Sequence, residues 1–244
     1  MKLDDIKKLH HKKYRQSFGY FIVEGEHLVL ELQKAAQREG ALLASELYVT
    51  DAYQYWTSPF KTQRITERQL RQITATEHPQ GIFAVVPLLQ AAALDAAPGG
   101  RQRAIYLHEV QDPGNLGTIL RTLAWFGGFR LLLSPGSVDP YNPKVVRASM
   151  GALFHVPLEL EVPWQSLGAR FPRLAVLDLC GASTREAAFA EFDCYLFGNE
   201  ARGLPEALGT TLALRCFSIR GANVLESLNL ATAVNICAYE LSRM

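Results

Sequence analysis

The chain has 244 residues, 48% of them hydrophobic and 20% charged, with a formal net charge of +1. That composition supplies an ordinary buried core, excludes a disordered or fibrous chain, and at this length leaves two compact units or one large α/β unit. No apolar run approaches the roughly 20 residues of a membrane span, and the opening MKLDDIKKLHHKKYRQ has no apolar segment to serve as a signal peptide, so a cytoplasmic protein without membrane contact is expected.

Residues 1–20 hold six basic side chains, Lys2, Lys7, Lys8, Lys12, Lys13 and Arg15, against Asp4 and Asp5. Such an arm pairs with nucleic-acid phosphates, although the solvated face of a first helix is the commoner use of a lysine-rich run. Lys12, Lys13 and Arg15 are the candidate phosphate contacts. Phe18, Tyr20 and Phe21 follow directly, as stacking faces for bases or as the first core residues.

After the arm, the sequence predicts a strand at 21–23, a turn at Gly25, and a helix with Leu28, Leu32 and Ala35 or Ala36 on one face, stopping near Gly40. ELYVT is a strand, 66–74 a short helix, and IFAVVP a strand stopped by Pro87. These form a small α/β unit over residues 1–92. QAAALDAAPGGRQ combines small residues with Pro98, Gly99 and Gly100, and residues 93–102 are expected to link it to a second domain at 103–244.

The second part alternates strand and helix: a strand at 104–110, a turn at Asp112-Pro113-Gly114, a helix at 116–126, a glycine stop, and a strand at 129–133. A βαβ unit of this kind places its loop and helix start at the carboxyl end of the strands, where open α/β sheets bind ligands. Asn115 and Arg121 lie on that loop and helix. A helix from about 143 carries Lys144 and Arg147, whose spacing suits one phosphate-facing surface. Strands at 174–179, 195–197 and 212–219 follow, with a capping box at Ser183 and Glu186 expected to start a helix. The fold expected is a mostly parallel sheet covered on both faces.

The four cysteines, Cys180, Cys194, Cys216 and Cys237, are widely spaced and read as reduced core residues. Neither they nor the six histidines show metal-ligand spacing, so no metal is assigned. No GxGxxG follows a strand and no GxxxxGK[ST] occurs, which argues against a dinucleotide fold and a P-loop.

The most telling stretch is 218–240, SIRGANVLESLNLATAVNICAYE, where Glu226, Ser227 and Asn229 crowd the entry of an amphipathic helix whose buried face carries Leu230, Val234 and Leu241. Two other stretches gather polar groups and glycines after an apolar run: HEVQDPGNLGTILRTLAWFGG at 108–128 and LFGNEARGLPEAL at 196–208. In order and spacing the three resemble the signature motifs of the TrmH/SpoU branch of the SPOUT class of RNA methyltransferases. The resemblance runs from about residue 105 to the end, and residues 12–32 resemble the small substrate-binding domain that many such enzymes carry at the N-terminus.

That resemblance implies a deep trefoil knot in the C-terminal domain, S-adenosylmethionine held bent in its loops, methyl transfer to a ribose 2′-hydroxyl of rRNA or tRNA, and a homodimer formed by the C-terminal domains. It implies a catalytic pocket of Asn115, Arg121, Glu200, Ser227 and Asn229. Arg121 of one chain would complete the partner's site, and Arg121 and Glu200 are both open as the group that activates the hydroxyl. Gly198, Ile219 and Leu228 would contact the cofactor, with Leu177, Gly181 and Leu196 as further candidates. The third motif departs from the family where Arg220 replaces a proline and Gly221 and Asn223 shift a glycine. A non-catalytic RNA-binding module that dimerises through its C-terminal domain is the rival reading. Ala231, Ala233 and Ala238 on the last helix are expected to let a partner helix approach closely.

Overall fold

A computed structural model describes residues 1–74, 76–89, 102–222, 224 and 226–243. The expected linker lies outside the described residues except for Gln102, as does Asn223. In chain order the elements are α1 (Leu3–Lys8), α2 (Lys12–Phe18), β1 (Tyr20–Glu24), α3 (Glu26–Ala36), β2 (Glu46–Val49), β3 (Lys61–Arg64), α4 (Glu67–Ile73) and β4 (Ile82–Pro87). There follow β5 (Arg103–Leu107), α5 (Pro113–Phe126), β6 (Phe129–Leu133), α6 (Pro143–Ser149), β7 (Leu158–Glu159), α7 (Leu167–Arg170), β8 (Leu174–Ser183), β9 (Cys194–Phe197), α8 (Glu206–Thr211), β10 (Leu214–Ser218) and α9 (Leu230–Arg243).

The chain divides into two compact units, one of residues 1–90 with 139–155, the other of 91–138 with 156–244. The division differs from the boundaries read from the sequence, because 139–155 groups with the N-terminal unit. A buried ion pair ties the stretch to the first helices: Arg15, only 3% exposed, donates through Nη2 and Nε to Asp139 Oδ2 at 2.6 and 3.0 Å and through Nη1 to the Leu9 carbonyl at 2.7 Å. Phe21 also packs on Tyr141 at 4.9 Å between ring centroids. Arg15 is therefore corrected from a phosphate contact to an internal tie.

In the N-terminal unit a four-stranded sheet runs β1-β4-β2-β3, antiparallel except for the β2–β3 pair. β4 reads IFAVVP and is buried along its length, as a central strand must be. β3 reads KTQR and is mostly exposed. It is an edge strand whose polar residues blunt further pairing and leave no hydrophobic period, so the sequence alone predicts no strand there. α4 starts on a reciprocal capping box, Thr66 with Gln69.

In the C-terminal unit six parallel strands run β10-β8-β9-β5-β6-β7. β5, β6 and β9 are buried almost throughout, the continuous apolar runs of a sheet covered on both faces. α5 begins under an Asp112 cap with Pro113 in its first turn and ends at Gly127. Three local expectations are corrected. Glu186 Oε1 does accept from the Ser183 amide at 3.0 Å, but Ser183 Oγ takes the Arg185 amide, and a 3₁₀ turn at Ala187–Glu191 replaces the helix. Cys194 and Cys237 are buried, whereas Cys180 and Cys216 are exposed on β8 and β10; all four are free. Ala231 and Ala238 of α9 are buried within this chain, so they present no small-residue surface to a partner.

Candidate active site

At the carboxyl ends of β5 and β9 the starts of α5 and α9 meet the loop after β9, and three polar side chains from the three sequence stretches bond in series. Asn229 Nδ2 donates to Asn115 Oδ1 at 2.9 Å, and Asn115 Nδ2 donates to Glu200 Oε1 at 3.2 Å. The Gln111 amide donates to Glu200 Oε2 at 3.4 Å, so both carboxylate oxygens are engaged.

Helix capping places these groups. Asp112 Oδ1 accepts from the Asn115 amide at 2.6 Å, fixing the first turn of α5, and Asn229 Oδ1 accepts from the Thr232 amide at 3.3 Å at the start of α9. Asn229 thus caps its helix with its carbonyl oxygen and joins the site with its amide nitrogen. The two helices are held side by side by Thr122 Oγ1 and Asn235 Oδ1 at 2.6 Å. A carboxylate near the positive ends of helices is electrostatically favoured.

Glu200 sits on a loop closed on itself. Asn199 and Gly203 exchange both backbone hydrogen bonds at 2.9 Å, and Asn199 Oδ1 accepts from the amides of Ala201 and Arg202. Asn199 Nδ2 reaches across to the Glu109 carbonyl at 2.7 Å, and Glu109, at φ +46°, pairs through its carboxylate with Arg202. Gln111 also holds the Glu109 and Gly136 carbonyls. Glu109, Gln111 and Asn199 are not among the residues expected from the sequence; their signal is the polar run immediately after each apolar strand. His108, beside Glu109, is held below the ordinary imidazole pKa, chiefly by burial.

Of the five expected catalytic residues, Asn115, Glu200 and Asn229 come together. Arg121 and Ser227 do not join them; both are exposed. Arg121 lies on α5, beyond the turn that carries Asn115.

The expected cofactor positions fit a ligand with apolar and hydrogen-bonding parts. β8 and β10 pair up to Val176 and Cys216 and resume at Ala182 and Phe217, so residues 177–181 are looped out of the ladder. Gly181, at φ +144°, closes that loop, and a Cβ there would lie 2.5 Å from the Cys216 carbonyl oxygen. A Cβ on Gly198 would lie 2.5 Å from the backbone of Gly203, so that turn also needs glycine. Leu179, Val224 and Leu228 are apolar side chains left exposed in the same stretches, at 70%, 84% and 46%. Leu177 and Ile219 are half-buried. Leu196 is fully buried in the core cluster with Tyr106 and Val176, so its side chain is not open to a ligand and only its backbone is left for one. Arg220, the departure at the family's proline, donates to the Gly181 carbonyl at 3.3 Å and ties the third stretch to the looped-out segment.

Among the described residues no group of three or more His, Cys, Asp or Glu is arranged to hold a metal, and no helix is long and apolar enough to cross a membrane. On the N-terminal unit Lys13 is exposed beside Tyr14, Lys144 is exposed on α6, and Arg147 is half-buried.

Residues 102–239 match the SpoU rRNA Methylase family, and residues 2–84 match the MRM3-like substrate binding domain. The chain is 30% identical to the 23S rRNA (guanosine(2553)-2′-O)-methyltransferase RlmP of Bacillus subtilis, covering 98% of this chain and 95% of that one. It is similar in structure to a TrmH-family protein of Porphyromonas gingivalis (TM-score 0.81, 30% identity, 99% and 96% of the two chains). It is similar also to the AdoMet-bound rRNA methyltransferase of Sinorhizobium meliloti (TM-score 0.83, 26% identity, 99% and 94% of the two chains). With more than half of its length matched by one family model and nearly all of it aligned to the Bacillus protein, the chain belongs to the SpoU rRNA methylase family.

Proposed function

We propose that this protein transfers a methyl group from S-adenosylmethionine to a ribose 2′-hydroxyl of RNA, with ribosomal RNA as the substrate class. The observation that carries the reading is the bonded series Asn229–Asn115–Glu200, drawn from three segments far apart in sequence and gathered at the carboxyl edge of a parallel sheet. A purely RNA-binding module needs no such convergence beside a looped-out, glycine-closed cradle.

When bound, S-adenosylmethionine supplies an electrophilic methyl on a sulfonium. The ribose oxygen would form the new O–C bond as the S–C bond breaks, leaving S-adenosylhomocysteine, and the hydroxyl proton would have to go to a base of this chain. Glu200 is the group suited to take it. Its carboxylate is oriented by Asn115 and Gln111, whereas a guanidinium holds its proton to a pH above roughly 12. Arg121 clamps the phosphate next to the acceptor ribose and polarises its hydroxyl; Ser227 lines the acceptor side. Gly181, Gly198, Ile219 and Leu228 hold the cofactor through backbone groups and apolar contact, with Leu177 a lesser contributor. The deep trefoil knot of the SPOUT class belongs to this reading.

The exposure of Arg121 supports a shared site in a homodimer, where it reaches the partner's pocket. Trp125 on α5 and Tyr239 on α9 remain exposed at 85% and 48%, an apolar surface on the two helices that would form the interface. Lys12, Lys13, Lys144 and Arg147 bind RNA phosphates on the N-terminal unit, and the cytoplasm is the proposed location.

Calorimetric titration of S-adenosylmethionine in chelator, paired with mass spectrometry of ribose methylation in rRNA from cells with and without the protein, tests the reading. Saturable heat and loss of one 2′-O-methyl nucleotide are expected. Neither heat nor a missing modification would leave only the RNA-binding module.

A further inference from the structure

The N-terminal unit contains a cavity of about 310 Å³ whose chemistry the catalytic reading does not use. Its wall is formed by the end of β1 and the start of α3, by Thr74, Thr76, His78, Pro79 and Gln80 before β4, and by Arg147 and Met150 at the end of α6. The volume is at the lower end of the roughly 300–1,000 Å³ of small-ligand sites.

Three features define what it takes. Arg147 lines the cavity, and its Nη1 is buried with no hydrogen-bond partner. A buried charged donor left without an acceptor costs more than a neutral one, so an anionic oxygen at this guanidinium is the missing partner. Glu24 lines the same cavity, with Oε2 accepting from Thr76 Oγ1 at 3.1 Å, which orients a carboxylate that accepts further donors. The apolar side chains of Leu28 and Ile82 line the same cavity, and so does the exposed His78. His27, also in the lining, donates through Nε2 to the Met150 carbonyl at 3.3 Å, which orients its ring.

We propose that this cavity seats one unpaired nucleotide of the RNA substrate, apart from the nucleotide that is methylated. Its phosphate meets Arg147, its base lies on Leu28 and Ile82 under His78, and the donor edge of the base meets Glu24. A base inside a duplex has that edge occupied, whereas loop and bulge nucleotides are free to enter and stack. Guanine is the base whose adjacent ring and exocyclic N–H groups match a carboxylate, and 5′-GMP is therefore the probe. The proposal rests on RNA being the substrate, but its test needs no catalysis.

The ring resonances of His27 and His78 are followed by NMR in the full-length protein as 5′-GMP is added to millimolar concentration, with inorganic phosphate alone as the second arm. Saturable shifts of both rings with GMP and none with phosphate are expected. Arg147→Gln should weaken the GMP response about tenfold, as the loss of a charge-assisted hydrogen bond does. His78→Ala alters an exposed residue and keeps the fold; it should weaken binding too, read on His27. Absence of shifts in the wild-type protein, equal shifts with phosphate alone, or full binding by both variants would overturn the proposal. If GMP binds here while the protein neither binds S-adenosylmethionine nor methylates RNA, the catalytic reading fails and the cavity stands. Methyl transfer without a GMP response keeps the catalytic reading and removes the nucleotide from the cavity.

Discussion

Arg15 and Arg121 are the same residue type used in opposite ways by the two units. In the N-terminal unit Arg15 is folded inward, with Asp139 and the Leu9 carbonyl as partners, and it joins a stretch of chain more than a hundred residues away to the first helices. In the C-terminal unit Arg121 is left exposed on a helix whose first turn carries a hydrogen-bonded polar series. A count of basic residues therefore locates charge along the chain but not its use. An arginine within a basic cluster can be a structural tie, while an isolated one on an apolar helix can be left exposed to solvent.

The largest effects are expected in the C-terminal unit. Arg121→Ala and Asn229→Ala should each lower methyl transfer by about 10²–10⁴-fold, measured as turnover on native RNA. Asn229→Asp is the more discriminating variant: it keeps the oxygen that caps α9 and loses the amide that reaches Asn115, so activity should fall while the melting temperature holds. Near wild-type turnover in any of the three would make that residue structural. Mixing Arg121→Ala with Asn229→Ala chains should restore partial activity if Arg121 works across a dimer, and light scattering should give twice the 27.1 kDa chain mass.

Arg15→Leu addresses the other half of the contrast. Removing one partner of a buried ion pair leaves Asp139 uncompensated and should cost about 3–5 kcal/mol of stability, read from denaturant unfolding, with the salt dependence of RNA binding unchanged among molecules that remain folded. Lys12→Gln with Lys13→Gln should do the reverse. Stability should hold, and the log–log salt slope of RNA affinity should flatten by about 0.7 to 0.9 for each phosphate the protein no longer neutralises. An unaltered slope would return both lysines to the role of a solvated helix face.

The smallest effect expected is at His108. Burial lowers its folded pKa below the unfolded value near 6.5, so as pH falls through that range the unfolded chain takes up its proton first and stability drops. His108→Gln should make the melting temperature less dependent on pH below about 6.5. A steeper dependence in the variant would contradict burial as the cause.

Much of the architecture is legible in the sequence because it is local. β4, β5, β6 and β9 announce themselves as apolar runs, and Leu28 and Leu32 on α3 as a helical face. Asn115, Glu200 and Asn229 stand out by their motifs, and the fold brings them into bonding distance. What escapes is set by contacts remote in sequence. Nothing near Arg15 signals that Asp139 will bury it, nothing in KTQR signals an edge strand, and Leu196 looks the same in a core as at a ligand. The roles of Glu109 and Asn199 depend on a hydrogen bond spanning 90 residues, beyond the reach of any local pattern.

The double use of Asn229 bears on how the enzyme comes into being. Its partner Asn115 lies 114 residues earlier, and Glu200 is 85 residues from Asn115, so the pocket closes only through contacts of high sequence separation. Such contacts form late, because long loops must be ordered before they are rewarded. During synthesis the N-terminal unit and the first strands of the second sheet emerge from the ribosome well before Thr232, whose amide completes the cap. The bonded series Asn229–Asn115–Glu200 is therefore completed only once the start of α9 has docked beside α5.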